Sequence, residues 1–130
     1  MIPPVVFDVD FTLTAQWWNS DDEIPYLASN PIMVNLAKSL AEAGIPIVIS
    51  TARPERVREQ TYQWLDWQGI QPDSCYFRDD DDTRADKAVK FEHASSIVDK
   101  YGKPLLWFDD NPDNIRVVRY LGIPAVLVNK

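Results

Sequence analysis

One stretch constrains this chain more than any other: Val5-Val6-Phe7-Asp8-Val9-Asp10-Phe11-Thr12-Leu13-Thr14. Its apolar, β-branched opening has the composition of a strand buried on both faces, as in a parallel sheet. The run stops in two carboxylates two residues apart, with a hydroxyl at Thr12. In extended backbone Asp8 and Asp10 project to the same side. Two like charges so close repel each other unless a shared proton or a cation lies between them. A hard divalent ion with oxygen ligands, such as Mg2+, is the natural partner. Open α/β sheets bind ligands beyond the carboxyl ends of their strands, which is where these groups fall.

The rest of the chain repeats that arrangement. Residues 14–30, with Trp17-Trp18 and Asp21-Asp22-Glu23, show no period and read as a flap over the first strand end. Trp17-Trp18 is read as packing the flap down, with stacking on a base or ring as the alternative. Asn30-Pro31 supplies a cap and a first-turn proline, and Met33, Leu36, Ala37 and Leu40 give a helix face closed by Gly44. A second strand, Ile45 to Ile49, leads into Ser50-Thr51-Ala52-Arg53, and Pro54 opens a second helix. Hydroxyls and an arginine between a strand end and a helix N-terminus suit a phosphate. Plain capping by Ser50 or Thr51 is the alternative. Ser74 to Phe77 is a third strand, Asp79 to Asp82 a solvated loop, and Thr83 to Tyr101 a helix bearing Arg84, Asp86, Lys87 and Lys90. Leu105 to Phe108 is a fourth strand, ending in Asp109-Asp110; a last helix carries Ile115, Val118 and Leu121, and Pro124 to Val128 is a fifth strand.

Four β-α repeats with short connections predict a three-layer α/β/α sandwich around a five-stranded parallel, Rossmann-like sheet, with 1–130 as one domain. The clusters Asp8/Asp10, Ser50/Thr51/Arg53 and Asp109/Asp110 all fall at carboxyl ends of strands. Together they describe a divalent-metal site facing a phosphate site. A net charge of -7 argues against broad binding of a polyanion, while leaving a nucleotide or a nucleic-acid end open as substrate. The single cysteine, Cys75, reads as a small core residue, and no intramolecular disulfide is possible. No apolar run has the length of a membrane span and no signal segment opens the sequence, so a cytoplasmic protein without a membrane partner is expected.

In these motifs the chain resembles the haloacid dehalogenase superfamily of phosphatases. FDVDFTLT matches motif I, ISTARP motif II, RADKAVK the motif III lysine region and WFDDNPDNI motif IV, in order across the chain. The stretch from RADKAVK through WFDDNPDNIRVVRYLGIPAVLV is most similar to the 3′-phosphatase domain of phage polynucleotide kinase-phosphatases. The resemblance implies an Mg2+-dependent phosphomonoesterase acting on nucleotides or polynucleotide 3′-phosphate ends. Asp8 would be the nucleophile that forms an aspartyl-phosphate, and Asp10 the general acid and base. Thr51, with Ser50 as the fallback, would hydrogen-bond the phosphoryl group alongside Arg53. Lys90, with Lys87 as the alternative, would fill the motif III position, Asp86 standing four residues before it. Asp8, the Asp10 main-chain carbonyl and Asp110 would hold the Mg2+, with Asp109 supporting them.

Two positions depart from the pattern. Phe11 stands where a small residue is usual, and Asn19 stands near the place of an arginine in the kinase-phosphatase branch. They motivate the alternative of a non-catalytic module that binds phosphate. The flap and the segment after the third strand are too short for a cap domain, so the expected site is open and suits a bulky substrate.

Overall fold

The computed structural model describes residues 2–129, leaving Met1 and Lys130 of the expected 1–130 domain outside the described residues. Five parallel strands form one sheet in the order β3-β2-β1-β4-β5: β1 is Val5–Phe7, β2 Ile47–Pro54, β3 Ser74–Arg78, β4 Leu106–Asp109 and β5 Ala125–Leu127. Val5 stands opposite both Ile47 and Leu106, so β1 is the centre of the sheet. The chain builds outward from β1 to β3, then crosses back to lay β4 on the other side. The reversal lies between β1 and β4. This is the switch point at which open α/β sheets form their binding crevice.

Strand alternation divides the core into two layers. Val5, Phe7 and Val9 pack with Met33, Ala37, Trp64 and Leu65, which belong to α1 (Pro31–Glu42) and α2 (Arg58–Trp67). Val6 and Trp107 face Ala94, Ile97 and Val118 of α3 (Asp86–Tyr101) and α4 (Pro112–Tyr120). Each fully buried large apolar side chain contributes about 1.5–3 kcal/mol relative to exposure. The same alternation aims the polar ends. Asp8 shares the parity of Val6, and Asp109 that of Trp107, so both side chains lie on the α3 and α4 side. The Asp8 backbone N–H still donates to Phe108 O at 2.9 Å, so the pairing with β4 runs to the first carboxylate.

The expected strands and helices are present, and three expectations need correction. First, the second helix does not begin at Pro54. β2 continues to Pro54, paired with Arg78 of β3, and α2 starts only at Arg58, behind the short 3-10 turn Glu55–Val57. Neither Ser50 nor Thr51 caps a helix, because their buried hydroxyls have partners that keep the strand extended. Second, the flap is not wholly irregular: Asp21–Tyr26 forms a 3-10 helix. An antiparallel bridge between Thr14 and Ser29 closes its base, and the Trp64 Nε1–H donates to Leu27 O at 2.8 Å. Third, the Asp79 to Asp82 loop is more than solvated chain. Asp82 accepts from the Arg84 backbone and guanidinium, and Asp80 from the Arg56 backbone N–H.

Among the described residues no helix is long and apolar enough to cross a membrane. Cys75 is buried in the first core layer, where burial pushes its thiol up to about 11, in keeping with a packing role.

Candidate active site

The centre of the site is an ammonium held between carboxylates. Lys90, 1% exposed, projects from the second turn of α3 under the sheet edge. Its Nζ lies 2.9 Å from Asp8 Oδ1 and 3.1 Å from Asp109 Oδ2, and it also donates to the carbonyl of Ser50. Burial alone would lower the Lys90 ammonium, but Asp109 and Asp8 beside it carry it above its ordinary value. Burial holds the Asp8 carboxyl well above the usual carboxylate range, against the pull of Lys90 and with Asp109 adding to the rise. Thr12 Oγ1 donates to Asp8 Oδ2 at 3.2 Å and fixes the second oxygen. Lys87, the alternative lysine, is exposed one turn earlier on the same helix. Two residues separate the two lysines, and the packing of α3 against β2 turns Lys90 inward.

Asp109 is oriented from behind. Its Oδ1 accepts from the Asn111 backbone N–H at 3.1 Å and from Asn114 Nδ2 at 3.2 Å. Asp110, the next residue, is half-buried and lines the cavity. Asp8, Asp109 and Asp110 each offer a carboxylate oxygen, and these atoms lie within 4.8 Å of one another. Three hard oxygen donors at that spacing fit a divalent cation of the Mg2+ type. The Asp10 side chain is turned elsewhere. Its oxygens accept from Arg53 Nη2 at 2.7 Å and Nε at 3.0 Å, while Arg53 Nη1 donates to Thr61 Oγ1 at 3.0 Å. Arg53 is itself buried, so the pair is a shielded, charge-assisted contact. Thr51 is fully buried, with Oγ1 accepting from the Arg53 backbone N–H at 3.1 Å; its neighbours Ala52 and Arg53 form the cavity wall. Asp86 stands at the rim, where its carboxylate accepts from Arg78 Nη2 at 2.6 Å.

Ser50 has a different partner from its neighbour. Its Oγ lies 2.8 Å from His93 Nδ1, and His93 Nε2 lies 2.9 Å from Phe77 O. A carbonyl only accepts, so Nε2 carries the proton, Nδ1 accepts, and Ser50 is the donor. The Ser50 hydroxyl is thereby committed away from the cavity. Burial, together with the nearby Lys90 charge, pushes the His93 imidazole down to about 4. Unfolded histidine titrates near 6.5, so between about pH 4 and 6.5 the unfolded chain binds a proton that the folded one refuses. Stability from this site is fully present above about pH 6.5 and is lost as pH falls toward 4, by about 3 kcal/mol in total. Urea denaturation at pH 7, 5.5 and 4.5 is expected to show a shallower acid loss in His93→Gln than in the wild type. Parallel losses would show that His93 does not carry this pH dependence.

His93 and Thr61 carry no signal of their own in the sequence, and Asn114 falls within WFDDNPDNI without a role assigned to it. Each is a single polar residue on a helix, and only a partner more than four residues away gives it a role. A cavity of ≈ 620 Å³ collects the remaining groups: Asp8, Asp10, Arg53, Lys90 and Asp110, with Phe11, Trp17 and Trp18 along its mouth.

This parallel sheet, with carboxylates gathered at its switch point and no inserted cap among the described residues, is the fold of the haloacid dehalogenase-like phosphatases. The family model for the polynucleotide kinase PNKP phosphatase domain matches residues 3–130, and the chain belongs to that family. It is a phosphatase domain, as the motifs imply. Among solved structures, a chain of the Pnkp1/Rnl/Hen1 RNA repair complex superposes with a TM-score of 0.89 at 22% identity, covering 98% of this chain and 42% of that one. This chain therefore spans less than half the length of that relative. The D,D-heptose 1.7-bisphosphate phosphatase from B. bronchiseptica, complexed with magnesium and phosphate, superposes with a TM-score of 0.69 at 14% identity, covering 97% of this chain and 80% of that one. No curated protein matches the chain.

Proposed function

We propose that this chain is a single Mg2+-dependent phosphomonoesterase domain, with 14–30 as its flap, acting on nucleotides or polynucleotide 3′-phosphate ends through an aspartyl-phosphate. One observation carries the reading: Lys90 bridges Asp8 and Asp109 while Asp8, Asp109 and Asp110 bring carboxylate oxygens within 4.8 Å. A buried surplus of negative charge over one ammonium calls for a second cation. Asp8, the Asp10 main-chain carbonyl and Asp110 would hold the metal, with Asp109 anchored beside them. When bound, the Mg2+ supplies positive charge toward the phosphoryl oxygens and favours ionised Asp8.

The chain's own residues account for the rest of the reaction. The Asp8 carboxylate attacks phosphorus and the ester oxygen departs, taking a proton from Asp10. Water then attacks the acyl phosphate while Asp10 accepts its proton, which releases phosphate and regenerates Asp8. Lys90 holds the attacking oxygen in place and offsets the charge developing on the phosphoryl group. Before substrate binds, Arg53 Nε and Nη2 hold Asp10 and Nη1 donates to Thr61, with Thr51 ordering the Arg53 backbone. Exchanging Asp10 for a phosphoryl oxygen would turn the fork to the substrate and leave Asp10 free to carry the proton it transfers.

The test is phosphate release from nucleoside monophosphates, sugar phosphates and 3′-phosphorylated oligonucleotides, with Mg2+ and with excess chelator. Turnover with Mg2+ and background rates with chelator are expected. Release that persists unchanged in chelator would remove the metal from the reading. Phosphate binding without turnover of any ester would favour the non-catalytic alternative.

A further inference from the structure

Two consecutive turns of α3 take hold of one residue of β2. Lys90 Nζ donates to the main-chain carbonyl of Ser50, and His93 Nδ1 accepts from the Ser50 hydroxyl at 2.8 Å. Side chains three positions apart share a helix face, so both grips can reach the same residue. His93 is itself pinned to the neighbouring strand, its Nε2–H donating to Phe77 O of β3 at 2.9 Å. The Tyr76 ring packs against the imidazole, with centroids 5.8 Å apart. The contact is shielded from water: Ser50 is fully buried and His93 is 6% exposed.

The sheet alone does not hold residue 50 firmly. β1 pairs with β2 only as far as Phe7 and Ile49, and the register of β2 on β3 shifts between Ser50 and Pro54. Residue 50 is therefore the last that β3 holds in register, one place beyond the end of the β1 ladder. Its carbonyl matters because of what it holds. An ammonium has three protons, and Lys90 meets three acceptors: Asp8 Oδ1, Asp109 Oδ2 and Ser50 O. The Ser50 carbonyl is the one uncharged anchor of the three, and the one on β2. A shift of that carbonyl moves Nζ, and with it the Asp8 oxygen that Nζ fixes.

Resting on the phosphatase reading above, we infer that His93 is a positioning residue for phosphoryl transfer. By holding the Ser50 hydroxyl it fixes the Ser50 carbonyl, which sets the Lys90 ammonium against the attacking oxygen of Asp8. His93 touches no reacting atom: both ring nitrogens are occupied, and it stands outside the residues that line the cavity of the site. Imidazole suits this task. Its rigid ring presents an acceptor at one nitrogen and a donor at the other, so it ties β2 to β3 in a single geometry. Attack on phosphorus tolerates little misplacement of the nucleophile, so a small drift of Nζ reaches the rate. Arg53, which would meet the phosphate, is held by Asp10, Thr61 and Thr51 instead. The link through Ser50 therefore bears on attack rather than on affinity.

The experiment measures kcat and KM for a 3′-phosphorylated oligonucleotide and for a nucleoside monophosphate at saturating Mg2+, below the melting transition of every variant. Wild type, Ser50→Ala, His93→Leu, His93→Gln and the double variant Ser50→Ala/His93→Leu are assayed. Ser50→Ala and His93→Leu should each lower kcat by about 10–100-fold, with KM within about twofold of wild type. The double variant should lose no more than the worse single one, because both changes cut the same link. His93→Gln, whose amide supplies one acceptor and one donor, should recover most of the loss. A purely structural histidine would lower the melting temperature and leave kcat of the folded protein unchanged. Wild-type kcat in Ser50→Ala, losses that multiply in the double variant, or His93→Gln no more active than His93→Leu overturns the positioning role. Ser50→Ala deletes a single oxygen, so it decides the matter even where His93→Leu does not fold. Wild type that releases phosphate from neither substrate would sink the phosphatase reading itself.

Discussion

Asp8→Asn is expected to yield a folded protein whose phosphate release falls by about 10⁴-fold or more, the scale of losing a covalent nucleophile. The fold should survive because asparagine fits the same space and the pairing that positions residue 8 is made by its backbone, to Phe108 O. The amide oxygen can still accept from Lys90, and the Thr12 hydroxyl can rotate to accept from the new amide. The substitution also removes a carboxyl that burial already disfavours as an anion. Thermal stability in chelator should therefore change little. Turnover within about tenfold of wild type, in protein with an unchanged melting curve, would assign the attack to another group.

Lys90→Met is expected to cost both stability and turnover. The ammonium is 1% exposed and lies within 3.1 Å of two carboxylates, one just after β1 and one at the end of β4, the strands that meet at the switch point. Methionine fills similar volume, so packing loss is small and the electrostatic consequence dominates. Two buried carboxylates would face each other without a counter-charge, a defect that typically costs about 3–5 kcal/mol. For a domain of this size that corresponds to a fall in Tm of roughly 10–20 °C. Thermal unfolding in chelator measures it directly. Combining Lys90→Met with Asp8→Asn should recover part of the loss, since the second change removes one of the stranded charges. Losses that simply add would mean that Lys90 and Asp8 do not act as a pair.

The two variants separate the chemistry of the site from its architecture. Asp8→Asn leaves the buried charges nearly satisfied and removes the attacking group. Lys90→Met removes the group that lets those charges coexist. Binding of Mg2+ by the folded protein should raise the Tm of wild type by mass action, more at higher metal concentration. The increment should shrink in Asp8→Asn, which lacks one of the anionic ligands.

The apolar strands and the helix faces were legible because each follows from local periodicity. Strand β2 was the instructive exception. Its apolar run stops at Ile49, yet the strand continues through Ser50 and Thr51 to Pro54. Hydroxyls in extended backbone look like a strand end when their partners cannot be seen. The partner of Ser50 is His93, on a helix 43 residues away, and that contact is what makes a buried polar strand tolerable. The flap was legible as a non-repeating segment, whereas its 3-10 helix was hidden by Pro25 and a run of acids that suit a loop equally well.

The sequence by itself determined the order of the elements, the parallel sheet and the gathering of carboxylates at strand ends. That Asp8 and Asp109 lean toward the same helices followed from alternation only once the pairing of β1 with β4 was in place. Only the tertiary structure decided that Lys90 rather than Lys87 points inward, that Arg53 takes Asp10, and that Asn114 steadies Asp109. The physical reason is one of range. Backbone geometry sets the direction of a side chain relative to its own strand or helix within a few residues, whereas the group it meets depends on how whole layers pack across the fold.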